Sequence, residues 1–475
     1  MGPLLTALSL SVVSSASADP ESDRPNIVLV SLDTTRADAL SCYGAPDVPF
    51  HDATPDLPRT PVLDAIAASG VRFASFYAHA PSTLTSHTSM LSGRDPHGHG
   101  VVRNGFPVDP EVPLLTEQLA AAGYATRAII GAAALEASAG LSRGFDVYDD
   151  ESPELHGLMY QTPADAVVDR AFASVDAWRG SDAPLFLFVH FFDAHTPYDP
   201  PEPYATRFLS PGYTGKFTKA DTPLKGLVKA LRSHTAHEPA LAAVNGRYLA
   251  EVAWMDAQIG RLIDGLEARG VLADDAVLVF VGDHGEVLSE DPVFAWTHGN
   301  NVSDGVLRVP LLLKAYGDVP IATGRVVEAQ SSMDQLAPTL AHFAGLDADL
   351  GPHDLVPLVR PGPVHPAVLD PDAHWPETPV RSVFMEATRP RNLEHPRLWN
   401  NLPLKRAVRA GGYRMDADPA HHQKPQLPSD QPAPLLPILV ELMAAWDADA
   451  PPHRDADMPE YTRRALEALG YIDTE

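Results

Sequence analysis

Three stretches of the chain are apolar at almost every position, and each one ends in carboxylate or imidazole side chains. They are NIVLVSLD over 26–33, PLFLFVHFFDAH over 184–195 and DAVLVFVGDHGE over 275–286. Strands that are apolar on both faces are covered on both sides, which is typical of a parallel sheet. TRAIIG over 126–131 and VPLLLK over 309–314 fit two further strands. The chain therefore carries the strands of a buried sheet.

The segments between these strands have helical spacing. YLAEVAWMDAQIGRLIDGLEARG, over 248–270, is apolar along one face and ends in a glycine. This alternation predicts an α/β fold with a large, mostly parallel sheet flanked by helices. The segment 201–239 holds four of the few lysines and is predicted to be a long surface excursion.

The composition changes after the last of these helical patterns and becomes rich in proline. Within this proline-rich part of the chain, short strands are predicted at 381–387 and 405–416, and a helix at 458–471. We therefore predict a main domain over 24–346 and a smaller α+β region over 347–475 that packs on the main domain.

Charge and hydropathy exclude two classes of partner. The formal net charge is -27, whereas nucleic-acid binding needs a basic surface. No apolar stretch reaches the roughly 18 residues that span a bilayer, so stable membrane insertion is not expected. Residues 1–18 have an apolar core and end in Ala-Ser-Ala, which predicts a signal peptide and a periplasmic or secreted protein. No Lys or Arg precedes that core, so an uncleaved N-terminus is the alternative. Nothing in the composition indicates an oligomeric state.

The polar ends of the three main strands are predicted to converge. Asp33 ends the first strand, Asp193 and His195 follow the second, and Asp283 and His284 follow the third. Because the carboxyl ends of parallel strands share one edge, where ligands bind, we expect a shared metal site there. A single Asp after a strand more often caps a turn, so the prediction depends on all three ends together.

A segment rich in hydroxyl groups, PSTLTSHTSMLSGRDPHGHG over 81–100, fits the same site. It predicts a helix that begins at Ser82 or Thr83 and ends at Gly93. A helix N-terminus suits a tetrahedral oxyanion. Asp, His and Thr ligands together suit Zn, Mn, Ca or Mg, and a hydroxyl on such an ion becomes a nucleophile. The alternative is that Thr83 only caps its helix.

At this point the chain is identified as a member of the sulfatase family, within the alkaline phosphatase superfamily. RPNIVLVSLDTTRADALSCYG resembles the family's opening segment, and TLTSHTSMLSGRDPHGHG resembles its nucleophile segment. FFDAHTPYDPP, FVGDHGE and HGNNVSDGVLRVPLLLK resemble later blocks in the same order. The resemblance covers roughly residues 24–415. It implies an alkaline-phosphatase-like fold and metal-dependent hydrolysis of sulfate or phosphate esters.

The chain departs from the family at the nucleophile. Sulfatases begin this helix with Cys-x-Pro-Ser-Arg, and the cysteine is oxidised to formylglycine. Counting back from Arg94 places Thr83 at the cysteine, Thr85 at the proline and His87 at the arginine. Threonine cannot become formylglycine, and related phosphoryl transferases and nucleotide pyrophosphatases use a threonine nucleophile. Thr85 and Ser86 are alternatives if the count shifts.

Other positions also differ. Asp33-Thr34 replaces the family's Asp-Asp pair, Asn300 replaces a lysine that would grip sulfate, and the family's Gly-Lys-x-His block has no counterpart. The resemblance implies one divalent ion, Ca, Mn, Zn or Mg, on Asp33, Thr83, Asp283 and His284. It also implies Thr83 as nucleophile, His195 as general acid and a third catalytic group in His87. Substrate contacts are then expected from Asn104, His298, Asn300 and Arg94.

A phosphothreonine is released by attack of water, whereas a sulfated formylglycine hydrate collapses to its aldehyde. The threonine therefore favours phosphate or phosphonate esters of a small molecule, glycan or lipid. The sequence leaves two other functions open. One is the transfer of a phosphoryl-linked head group, and the other is a non-catalytic binding protein that keeps the fold.

Overall fold

The computed structural model describes a core of almost continuous chain and parts of the C-terminal region. The described residues are 24–44, 59–151, 162–210, 212–218, 224–351, 353–363, 382–388, 404–410, 413–418, 423–426 and 436–448. The signal peptide predicted over 1–18 and the helix predicted over 458–471 lie outside these residues.

An eight-stranded sheet forms the centre of the molecule, in the order β5-β4-β6-β1-β7-β8-β2-β9. Only β8 runs antiparallel to its neighbours, so the predicted mostly parallel α/β sheet is confirmed. A separate parallel pair joins β3 and β10. The strands in chain order are β1 Asn26–Leu32, β2 Val71–Phe73, β3 Phe76–Tyr77, β4 Ala125–Ile129, β5 Val147–Asp149, β6 Leu185–Phe191, β7 Ala276–Gly282, β8 Leu311–Tyr316, β9 Arg325–Val327 and β10 Ser331–Ser332.

Helices cover both faces of the sheet. One face packs on α2, α4 and α9, and the other packs on α1, α5 and α7. The helices are α1 Pro61–Ser69, α2 Thr83–Ser92, α3 Pro96–His99, α4 Leu115–Ala121, α5 Ala164–Trp178, α6 Lys225–Arg232, α7 Glu238–Ala268, α8 Asp304–Leu307, α9 Leu336–Phe343 and α10 Val356–Val359. In the part of the chain that the structure describes, none of the helices is long and apolar enough to cross a bilayer.

Helix α7 is longer than its hydrophobic pattern predicts. It begins at Glu238, within the predicted surface excursion, rather than at Tyr248. Pro239 lies in its first turn, where the missing N–H group is not needed. The first turns consist mainly of small residues, so the spacing of large apolar side chains does not reveal that they are helical. The excursion also contains α6.

The C-terminal region forms an antiparallel sheet next to the core. Its elements are β11 Val383–Thr388, β12 Leu404–Ala410, β13 Tyr413–Asp418, β14 Gln423–Gln426 and a helix, α11 Leu436–Ala448. Val383, Met385 and Ala387 belong to the main core, and the Glu386 N–H group donates to the His79 carbonyl. The boundary between residues 346 and 347 stays a prediction.

A buried ion pair connects this region to the segment after α2. Nε2 of His97 lies 3.5 Å from Glu386, and the His97 ring stacks on Trp446 at 3.5 Å. Burial alone would lower the pKa of His97, but Glu386 outweighs it and the net pKa is raised. Burial would raise the pKa of Glu386, but His97 and Arg406 outweigh it and the net pKa is lowered.

We expect this contact to contribute most at mildly acidic pH. The stabilisation from His97 is complete below its unfolded pKa of about 6.5 and is lost as the pH rises through its raised folded pKa. The stabilisation from Glu386 is present above its unfolded pKa of about 4.3 and is lost as the pH falls through its lowered folded pKa. His97→Gln should therefore cost roughly 1–2 kcal/mol near pH 6 and much less near pH 9. Thermal unfolding across this pH range measures the difference, with the exposed His234→Gln as control. An equal loss at both pH values would contradict the ion pair.

Candidate active site and metal centre

Two carboxylates lie side by side at the carboxyl edge of the sheet. Leu32 pairs with Gly282 in the neighbouring strand, so Asp33 and Asp283 follow adjacent strand ends. Both side chains are fully buried. One oxygen of Asp283 accepts the N–H groups of Thr34 at 3.1 Å and His284 at 2.6 Å. Among the described residues, the other oxygen of Asp283 and both oxygens of Asp33 have no well-formed hydrogen bond.

Burial outweighs the neighbouring imidazoles at both carboxylates. Burial raises the pKa of Asp33 to about 7, although His284 acts in the opposite direction. Burial also raises the pKa of Asp283, and the negative charge of Asp33 adds to the effect. Two such groups together favour a cation between them.

Thr83 reaches this pair from the N-terminus of α2. Its hydroxyl lies 3.4 Å from Nε2 of His284, and the threonine is fully buried. The helix begins and ends where the sequence predicts. Gly93 ends it with a φ of 69°, and a Cβ there would lie 1.8 Å from the Leu350 carbonyl oxygen. The hydroxyl is therefore held at the positive end of a helix, next to two carboxylates.

Asn104 completes the start of the same helix. Its side-chain oxygen accepts the Leu84 N–H group at 2.7 Å and the Ser82 hydroxyl at 3.0 Å. Its amide nitrogen is buried and has no hydrogen-bond acceptor among the described residues. Asn104 thus caps α2 and lies beside Thr83, and its side-chain amide nitrogen is left for another acceptor.

The residues present fit a divalent cation. Asp33, Asp283 and His284 each offer a ligand atom, and these atoms lie within 4.8 Å of one another. His284 donates from Nδ1 to the Gly285 carbonyl at 3.0 Å, which leaves Nε2 as its ligand atom. Burial alone would lower the pKa of His284, but Asp283 and Asp33 outweigh it and the net pKa is raised. With the Thr83 hydroxyl, this set of carboxylate, imidazole and hydroxyl donors is typical of Zn or Mn sites and suits Ca or Mg less closely.

A tyrosine from α7 holds the turn between the two carboxylates. Thr34 has a φ of 48°, which is uncommon for a residue other than glycine. The hydroxyl of Tyr248 donates to the Thr34 carbonyl at 3.0 Å and accepts the Arg36 N–H group at 3.0 Å. These bonds keep the Thr34 N–H group directed at Asp283. No signal in the sequence marks this role, because Tyr248 belongs to the apolar stripe of its helix.

Two buried histidines lie behind the carboxylates. Nε2 of His87 is 2.7 Å from the Ser31 hydroxyl, and its Nδ1 is 2.7 Å from the Thr83 carbonyl. Burial lowers the pKa of His87 to about 3. His190 on β6 places Nε2 3.3 Å from Asp33, and burial lowers its pKa to about 4. Sequence reasoning missed His190, although a lone imidazole in an otherwise apolar strand was a usable signal.

The opposite wall of the site carries His195 and His298. Their rings are 4.9 Å apart, and His195 stacks on Phe192 at 4.3 Å. Nδ1 of His195 donates to the Thr196 carbonyl at 2.6 Å. Burial and His298 hold the pKa of His195 well below its usual range.

Glu286 connects this wall to Tyr198, which lies after β6, and was also missed from the sequence. It lies 3.3 Å from Nδ1 of His298 and accepts the Tyr198 hydroxyl at 3.3 Å. Burial raises the pKa of Glu286 to about 8. The residue belongs to the DHGE sequence at the end of β7, so its position after the strand was a signal.

At the second predicted strand end His195 reaches the site, but Asp193 does not. Asp193 instead accepts the Ala164 N–H group at 2.9 Å at the start of α5. Within β6, His190 lies on the α2 face with Phe186 and Phe188. Asp193 follows the end of the strand, and its side chain is directed to the start of α5. The expected convergence of Asp193 with Asp33 and Asp283 is therefore wrong.

The remaining predicted residues occupy two different places. The side chain of Asn300 donates to the His298 carbonyl at 3.2 Å, so it lies in the turn that carries His298. Arg94 follows Gly93 at the far end of α2, about 15 Å along the helix from Thr83. The structure thus brings Asn300 near the site but does not bring Arg94 there.

Comparisons with known proteins give the relatives of this chain and of its fold. The family model described as Sulfatase matches residues 25–346. An ulvan-active sulfatase of Formosa agariphila is 25% identical over 361 residues, which are 69% of this chain and 63% of that protein. Arylsulfatase A of Homo sapiens is 27% identical over 371 residues, 70% of this chain and 68% of that protein. The phosphonate monoester hydrolase of Agrobacterium radiobacter has the same fold, with a TM-score of 0.66 and 22% identity over 90% of this chain and 96% of that chain. The chain thus spans 63% of the length of the ulvan-active relative.

Removing the Tyr248 hydroxyl should loosen the turn at Thr34, next to the two carboxylates. We expect Tyr248→Phe to lower the free energy of unfolding by roughly 1–3 kcal/mol, because it removes two buried hydrogen bonds. It should also weaken the binding of Mn or Zn about tenfold, because partners of ligand residues orient those residues. Tyr124→Phe is the matched control, since that buried hydroxyl donates to the Pro25 carbonyl at 3.0 Å, away from the turn. Titration calorimetry and denaturant unfolding measure both effects. Equal metal affinity in the two variants would exclude the role given to Tyr248.

Proposed function

Because the chain belongs to the sulfatase family, we propose that it is a metal-dependent hydrolase of sulfate or phosphate and phosphonate esters that uses Thr83 as its nucleophile and no formylglycine. The observation that supports this most directly is the position of the Thr83 hydroxyl. It lies at the N-terminus of α2 and 3.4 Å from the imidazole of His284, beside two buried carboxylates.

In this proposal Asp33, Thr83, Asp283 and His284 hold one divalent ion. The ion, when bound, offsets the carboxylate charge and lowers the pKa of the hydroxyl that contacts it. Thr83 then attacks phosphorus or sulfur in line with the leaving oxygen, and its proton passes to solvent. The N-terminal end of α2 supplies a positive field for the equatorial oxygens.

His195 is the proposed proton donor for the leaving oxygen. Its Nδ1 is committed to the Thr196 carbonyl at 2.6 Å, so Nε2 is the nitrogen that exchanges a proton with the substrate. In the site without substrate, burial and His298 hold the pKa of His195 well below its usual range. A bound anion opposes both effects and raises this pKa. The substrate itself therefore favours the protonated form that donation requires.

Turnover of the threonine intermediate favours phosphorus over sulfur. Release of the group requires water to attack it, with Thr83 as the leaving oxygen. His195, having given up its proton, is placed to accept one from that water. Neither a phosphothreonine nor a sulfothreonine has an aldehyde to collapse to, and attack of an activated oxygen in line with the leaving oxygen is the usual route of phosphoryl transfer. We therefore propose phosphate or phosphonate esters as the preferred class.

The other predicted residues take supporting roles. The spare amide of Asn104 is proposed to bind an oxygen of the transferred group, and His298 and Asn300 to line the leaving-group side. His87 is proposed to act from behind the site, because both of its nitrogens have partners in the described structure. Arg94 is proposed to brace its loop. The expected substrate is a small-molecule, glycan or lipid ester, and a secreted or periplasmic location remains a prediction.

Substitution of Thr83 tests the nucleophile. We expect Thr83→Ala to remove nearly all turnover and to keep the fold, whereas Thr83→Ser should keep a measurable fraction because a primary hydroxyl still attacks. Mass spectrometry after an acid quench should find the transferred group on the peptide that contains Thr83. Thr85→Ala is the matched control on the same helix. Full activity of Thr83→Ala would assign the attack to water, and an inactive wild-type chain without bound metal would favour a binding protein.

The choice of leaving group tests His195. We expect His195→Ala to slow esters with poorly acidic leaving alcohols about 100-fold or more, and activated aryl esters far less, because an acidic phenol leaves without a proton. The measurement is kcat for a series of phosphate esters of increasing leaving-group pKa. Asn300→Ala serves as the comparison, since it lies beside His298 and exchanges no proton. Equal losses across the series would reduce His195 to a binding role.

A further inference from the structure

Polar atoms remain without partners behind the ligands of the proposed ion. Both ring nitrogens of His190 and one oxygen of Asp283 are buried and have no hydrogen bond within the described part of the chain. His190 has no exposed surface at all. Buried polar atoms without a hydrogen bond are costly. Nδ1 of His190 has no such bond, and Nε2 lies 3.3 Å from Asp33 without the geometry of one.

His190 is one of three buried ligands that converge. His87, His190 and Asp283 each place a ligand atom within 4.8 Å of the other two. Nδ1 of His87 is 3.7 Å from the oxygen of Asp283 that lacks a hydrogen bond, and the two imidazole rings are 5.0 Å apart. This distance range allows a single ion to contact all three after small side-chain rotations.

We propose that His87, His190 and Asp283 bind a second divalent ion, which shares the Asp283 carboxylate with the ion of the proposed function. Asp33 lies close enough to join it, since one of its oxygens is 3.3 Å from Nε2 of His190. The inference rests on the proposed metal-dependent function, because Asp283 serves both ions.

The hydrogen bonds of His87 are compatible with a ligand role. Nε2 can donate to the Ser31 hydroxyl, 2.7 Å away, which leaves the lone pair on Nδ1 for the ion. A partner of this kind fixes the tautomer and the ring orientation of a metal-bound imidazole. In this tautomer Nδ1 and the Thr83 carbonyl oxygen, 2.7 Å apart, are both acceptors and repel each other, so the ring turns away from the carbonyl when the ion binds. As a helical carbonyl it keeps the backbone N–H group four residues on.

The donor set selects the class of ion. Two imidazoles and a carboxylate favour Zn, Mn or Fe over Ca and Mg, which prefer oxygen ligands. The charge balance points the same way. The groups that act on Asp33 and Asp283 are histidines, a threonine and another carboxylate, so a dianionic ester needs positive charge from another source. Two divalent ions carry four positive charges, and the two carboxylates neutralise two of them. The remaining two positive charges are available to the dianionic ester.

The test is a count of ions. The full chain, loaded with Mn or Zn and dialysed, should contain about two ions in the wild type and about one in His190→Gln. Glutamine can place a nitrogen near the position of Nε2 and can donate to Asp33, but it is a poor ligand for these ions. His342→Gln is the matched control, because that imidazole is largely exposed, with 41% of its side-chain surface accessible.

A second measurement can be made on the wild type alone, with the variant as a comparison. Two Mn ions that share a carboxylate lie about 4 Å apart and are magnetically coupled. The wild type should therefore give a coupled electron paramagnetic resonance spectrum, and His190→Gln the spectrum of an isolated ion.

The outcomes separate this inference from the proposed function. One ion in the wild type would overturn the second site and leave the first intact, with His190 as a hydrogen-bond donor to Asp33. Two ions without magnetic coupling, or two ions in His190→Gln, would also overturn it. A wild type that binds no ion would overturn both proposals.

Discussion

The burial of Asp33 and Asp283 side by side is the constraint on which the rest of the site depends. Two carboxylates removed from water cost several kcal/mol each unless positive charge compensates them. The protein provides the Thr34 and His284 N–H groups to one oxygen of Asp283 and the N-terminal end of α2. These contacts hold the pair in place but do not neutralise it. The site is therefore arranged to receive a cation, and the Thr83 hydroxyl lies where that cation would act.

The alternation of the strands decides which residues share this site. On β1 and β7 the residues with the parity of Asp33 and Asp283 face α2, and those of the opposite parity face α5 and α7. His190 has the parity of the α2 face. His190, within β6, thus lies beside the carboxylates, whereas Asp193, two residues after the strand ends, caps a helix on the other face.

The surroundings of Thr83, the proposed nucleophile, also differ from those that the family pattern implies. Where an arginine is expected, His87 fits into the core between the Ser31 hydroxyl and the backbone of its own helix. Its neighbour His190 is also neutral, because burial lowers the pKa of both. The region behind Thr83 is therefore built from neutral imidazoles rather than from cationic side chains. This composition fits metal ions as the source of positive charge, in keeping with chemistry on phosphorus.

The sequence alone determined the sheet, the helix that begins at Thr83, and the meeting of Asp33, Thr83, Asp283 and His284 at one edge. Each depends on local patterns: apolar runs, a helix start with a terminal glycine, and polar residues directly after strands. Only the tertiary structure excluded Asp193 and added His190, Glu286 and Tyr248. Tyr248 acts on a turn 214 residues away in the chain, and His190 meets Asp33 because β6 happens to lie beside β1. Strand order, register and the contacts of a distant helix are fixed by packing of the whole core, and no short stretch of sequence carries that information.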